Sequence, residues 1–156
     1  MAQRQTLVIL IAVDGSPAAL AAVRHAIELA RRGLVLRCVA VNVQPPPTLY
    51  EVVLAHDRER LDDVRAAAGS DLLAPALALL AEAGIAHDHD VVGGEPAAAL
   101  AEVAEACGAD LLLIGARGDG SSAHALGRTA LAVLEHARVP VTVVRGPEAD
   151  TDTDPA

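Results

Sequence analysis

The chain of 156 residues has no tryptophan and no phenylalanine, and its only aromatic residue is Tyr50. A core made from this sequence must be aliphatic, and the 53% apolar content supplies the alanine, valine, leucine and isoleucine to fill it. Lysine is missing altogether, so all 12 basic residues are arginines. That removes every mechanism that needs a lysine amine: P-loop phosphate capture, Schiff-base chemistry and the kinase lysine. Positive charge is also scarce, since 21 acidic residues leave a formal net charge of −9. Sequence-independent nucleic-acid binding needs a basic surface to displace counterions, so no nucleic-acid partner is expected, and an anionic membrane surface is disfavoured for the same reason. The longest apolar runs fall well short of the roughly 20 residues of a membrane helix. The first residues show no charged-then-apolar segment ending in small residues, so no signal peptide and a cytoplasmic location are expected. Cysteine is sparse: Cys38 and Cys107 each lie in an apolar segment. Reduced core cysteines are the plain reading, with a disulfide or redox pair as the alternative.

What is present is an alternation of apolar runs and helical periodicity. Leu7–Val13 reads as a buried strand. Ser16 and Pro17 form an N-cap and first-turn pair, and Ala18–Arg32 reads as an amphipathic helix ending at Gly33. Val35–Val43 is a second strand closed by Pro45, Pro46 and Pro47. Thr48–Ala83 is helical in pattern, with breaks expected at Gly69 and Pro75. Ala86–Val92 is a third strand. A helix then runs from Glu95 and Pro96 through Cys107, and Asp110–Gly115 is a fourth strand. A glycine-rich loop, Ala116–Ser122, precedes a last helix at Ala125–Ala137, and Pro140–Val144 is a fifth strand. Strands joined by helices give βαβ units, hence one α/β domain over residues 1–146: a five-stranded parallel sheet with helices on both faces, Rossmann-like in its three layers. Residues 147–156 read as a disordered acidic tail.

In such a sheet, ligands bind beyond the carboxyl ends of the strands, where the strand order reverses. The turn Asp14-Gly15-Ser16 and the loop after Gly115 are therefore the places to look. A glycine-rich loop before a helix offers close backbone approach and N–H groups for a phosphate, although such loops also connect elements with no ligand present. Asp14 has two readings, as a ligand contact or as a brace for its own turn. His87-Asp88-His89-Asp90 alternates faces along a strand, and two histidines without a third ligand make a polar sheet edge rather than a metal site. Ser121 and Ser122 lack a nucleophile elbow, and His124 and His136 have no nucleophile at catalytic spacing. No catalytic or metal residue is assigned.

Several landmarks recur in order over residues 6–145 and together resemble the universal stress protein family. They are Ile9–Ser16, Gly94-Glu95-Pro96, Gly108–Gly115 and Arg138–Arg145. The resemblance implies a sheet order of 3-2-1-4-5 and a non-catalytic stress-response or signalling module holding ATP or another adenine nucleotide. It places Asp14 at the adenosine, the Val43 backbone at the adenine edge, Ile114 and Gly115 along the base and ribose, and Gly118, Gly127, Arg128 and Thr129 at the phosphates. ATP-binding members carry Gly-x2-Gly-x9-Gly-Ser/Thr after the fourth strand. Here Gly115 and Gly118 match, but eight residues separate Gly118 from Gly127, and Arg128 stands where the hydroxyl is expected. Losing one charge-assisted hydrogen bond weakens phosphate binding by about one to two orders of magnitude, which Arg128 can offset through a bidentate contact. The alternatives are a ligand-free interaction protein of the same fold and, third, a small nucleotide-dependent enzyme. The resemblance also implies a homodimer paired along the fifth strand through Val139, Val141 and Val143.

Overall fold

A computed structural model describes residues 5–54, 57–117 and 125–147. Five parallel strands form the sheet: β1 (Leu7–Ala12), β2 (Leu36–Gln44), β3 (His87–Gly93), β4 (Leu111–Gly115) and β5 (Val141–Val144), in the order β3-β2-β1-β4-β5. The five-stranded parallel sheet is the one expected from the sequence, and its order is the one the resemblance implied. Five helices connect the strands: α1 (Pro17–Arg31), α2 (Leu49–Leu54), α3 (Arg58–Glu82), α4 (Pro96–Ala106) and α5 (Arg128–His136).

The central strand shows why β1 and β4 are continuously apolar. Ile9, Ile11 and Val13 point into one half of the core, with Ala22, Val23 and Ala26 of α1 and Leu73, Ala76 and Leu80 of α3. Leu10 points into the other half, with Leu100 of α4 and Val133 of α5. Successive residues of a strand face opposite sides, so a sheet covered on both faces needs apolar residues at both parities. Ala18, Ala19, Ala22 and Ala26 of α1 are buried, which keeps that helix close to a sheet that has no aromatic side chain to accommodate.

Two expectations need correction. α3 runs unbroken through Gly69 and Pro75. Gly69 is buried because the helix crosses β2 and β3 there: a Cβ at this position would lie 2.5 Å from Val91 Cγ1 and 2.9 Å from Asn42 Oδ1. Pro75 is exposed, and the burial of Leu73, Ala76 and Leu80 around it outweighs its lost backbone bond. The last helix is shorter than expected, starting at Arg128 with Gly127 as its N-cap. At 25 residues, α3 is long and apolar enough to span a membrane by length and composition. Here Gly69, Leu73, Ala76 and Leu80 are the residues it buries.

The edge strands match the sequence reading in different ways. β3 presents Asp88, His89 and Asp90 outward, and Arg37 Nη1 pairs with Asp88 Oδ2 at 2.9 Å. On β5, Val141 and Val143 are half-buried against the α4–α5 side, together with Val139, which precedes the strand rather than belonging to it. Cys38 is buried in the core. Cys107, at the C-cap of α4, is only partly buried, unlike the buried position expected for it, and both are free thiols.

Candidate functional site

The order of the sheet reverses at β1, which lies between β2 and β4, so the loops leaving β1 and β4 diverge and open a crevice. A cleft of about 440 Å³ lies there, within the roughly 300–1,000 Å³ typical of small-molecule sites. Its floor is Ala12 and Val13 at the end of β1 and Ile114, Gly115 and Ala116 at the end of β4. Val43 of β2 and Pro96 and Leu100 of α4 add an apolar wall. Asp14, Arg117, Arg128 and Thr129 supply the polar groups.

Local chemistry fixes each wall. Asp14 Oδ1 accepts from the Ser16 N–H at 2.8 Å, and Ser16 Oγ accepts from the Ala19 N–H at 3.2 Å, so the turn and the start of α1 are braced by consecutive side chains. The plain reading of Asp14 is thus realised by one carboxylate oxygen, while the residue also lines the cleft. Gly115 is required by packing: a Cβ there would lie 2.8 Å from both the carbonyl carbon and the Cβ of Ala18. β4 therefore ends hard against the first turn of α1.

At α4, the Glu95 carboxylate caps the helix by accepting from the N–H groups of Ala97 (3.3 Å) and Ala98 (2.9 Å). Those bonds hold its carboxyl below the usual range, the Ala98 N–H contributing most. They also fix the entry of Pro96 into the cleft wall. The chain returns after the glycine-rich loop through a bond from the Gly127 N–H to the Ala116 carbonyl at 2.8 Å. α5 then begins with no side chain capping it. The first turn of a helix presents unpartnered N–H groups and the positive end of its dipole, and Arg128 and Thr129 sit on that turn at the cleft. Arg128 forms no ion pair among the described residues.

Seven of the eight residues singled out in the sequence, Asp14, Val43, Ile114, Gly115, Gly127, Arg128 and Thr129, line this one cleft. Gly118 lies outside the described residues, as do His124, Ser121 and Ser122. The sequence reading missed the α4 wall. Glu95-Pro96, a carboxylate cap followed by a first-turn proline, was the available signal, but nothing local says which way that helix end faces. Among the described residues, no three histidine, cysteine or acidic side chains gather as a metal site.

The fold and the cleft define a class, a doubly wound α/β domain with a ligand-sized crevice at its switch point. Within it, the chain belongs to the universal stress protein family, whose sequence profile matches residues 7–145. It is 50% identical to universal stress protein G of Shigella flexneri over 44 residues, which are 28% of this chain and 31% of that protein. Close sequence similarity to this curated relative is thus confined to about a third of the relative's length. Universal stress protein UspA from Lactobacillus plantarum superposes with a TM-score of 0.76 at 26% identity, covering 92% of this chain and 100% of that one. An Arabidopsis thaliana universal stress family protein with AMP bound shares the fold at a TM-score of 0.67 and 19% identity, covering 96% of this chain and 98% of that one.

Proposed function

We propose that the cleft binds an adenine nucleotide and that the protein works as a non-catalytic binding module of the stress-response type. The observation that carries this reading is the convergence on one cleft of a carboxylate turn (Asp14), an aliphatic slot (Val43, Ile114, Leu100) and an uncapped helix start bearing Arg128 and Thr129. Those three features suit a ribose, a flat base and a phosphate respectively. The AMP held by the Arabidopsis relative supports the same ligand class. Arg128 supplies positive charge where the ATP-binding pattern has a hydroxyl, and Thr129 offers that hydroxyl one position later.

The module binds without turnover. Asp14 is the only carboxylate among the described lining residues, and one of its oxygens is already committed to the Ser16 N–H of its own turn. The protein acts in the cytoplasm as a homodimer, two copies meeting along the β5 edge, whose outer backbone groups pair with no strand among the described residues.

Calorimetry and thermal unfolding with AMP, ADP and ATP test the ligand. At a hundredfold excess over its dissociation constant, a bound nucleotide adds about 2.7 kcal/mol of stability. The absence of both heat and thermal shift at millimolar nucleotide rejects the reading.

A further inference from the structure

We propose that Asn42 is a positioning residue for the cleft, holding the carboxyl ends of β1 and β2 in a fixed relation from the opposite face of the sheet. This rests on the reading of the cleft as a nucleotide site. Asn42 and Ser16 are the only buried polar side chains among the described residues, each 2% exposed. Ser16 is explained by the cap it makes to α1. Asn42 caps nothing, and the buried residues paired or adjacent to it on β1 and β2 are aliphatic.

Its geometry shows what it does. The β1–β2 register ends at the pair Ala12 and Val41, with a last ladder bond from the Val13 N–H to the Val41 carbonyl at 2.8 Å. β2 then continues for three residues, Asn42 to Gln44, paired only with β3. Asn42 is the first residue past the point where the strands part, and its Nδ2 donates to the Val13 carbonyl at 2.8 Å. The side chain thus makes one further rung after the backbone ladder stops. Its Oδ1 accepts from Gln44 Nε2 at 2.7 Å, which fixes the amide's orientation. Gly69 of α3 passes so close that a Cβ there would come within 2.9 Å of the same Oδ1, so the amide sits in a fitted niche.

Both residues beside this rung belong to the cleft. The clamped carbonyl is that of Val13, immediately before Asp14, and Val43 follows Asn42 on β2. Because side chains alternate along a strand, Asn42 faces α3 while Val43 faces the α4–α5 side. Asn42 touches no ligand; it sets the separation of two backbone segments that do. A valine would fill the same space in keeping with its neighbours, but it would leave the Val13 carbonyl without this donor.

The test uses Asn42→Val, which removes the donor. AMP affinity is measured by calorimetry well below the melting temperatures of parent and variant, so that only folded protein is compared. Amide hydrogen exchange at Asp14 and Gly15 is followed without ligand. The expected result is an AMP affinity about tenfold weaker in Asn42→Val with faster exchange in the turn. A residue that only stabilises the fold would lower the melting temperature of the valine variant and leave both readouts unchanged, and that result overturns the proposal. If the parent binds no AMP, the ligand reading fails, while faster exchange in the valine variant still upholds the clamp on the turn.

Discussion

Gly69→Ala sets two effects of opposite sign against each other. In a helix interior, alanine is favoured over glycine by about 1 kcal/mol. If Gly69 were only a weak point in α3, the substitution would stabilise the protein by that amount. The structure puts the added methyl 2.5 Å and 2.9 Å from the two Cγ atoms of Val91 and 2.9 Å from Asn42 Oδ1. All three are closer than normal contact, and overpacking of this kind costs about 1–3 kcal/mol. The difference predicts a net loss of about 1 kcal/mol, read as a lower urea midpoint at unchanged slope. Val91→Ala removes two of the three contacts. In that background Gly69→Ala is expected to become neutral or stabilising, a coupling of about 1–2 kcal/mol in a double-mutant cycle. A single Gly69→Ala variant more stable than the parent would refute the close crossing of α3 over β2 and β3.

Cys38 gives a prediction in pH. Burial pushes its thiol up from 9.0 to about 11, so the folded state holds the proton more tightly than the unfolded chain. The stability this provides is complete below pH 9 and is lost as the pH rises towards 11, a decline on the order of 3 kcal/mol. Cys38→Ala should flatten that alkaline decline in urea titrations, and an unchanged slope between pH 9 and 11 would show that the thiol is not desolvated. For the β5 edge, light scattering at micromolar concentration should give twice the chain mass. A monomeric parent would reject pairing at that edge.

Sequence alone determined the order of elements and the class of fold. Leu7–Val13 and Leu111–Ile114 are apolar at both parities, which only a sheet covered on both faces can satisfy. Aspartate, serine and glycine signals in the sequence marked the turns after β1 and β4 as the place to look, and the family resemblance supplied the seven residues that line the one cleft there. Tertiary contact decided the rest. Gly69 reads as a helix break until the helix is laid across Val91 and Asn42, since a glycine's chain neighbours do not reveal what passes above it. Asn42 reads as one polar residue in a strand until the end of β1 is placed beside it, 29 positions away in the chain. The inward face of α4 and the fit of Gly115 against Ala18 are likewise properties of packed surfaces. Local sequence encodes backbone preference and periodicity, whereas the distance between segments remote in the chain is set only when they pack.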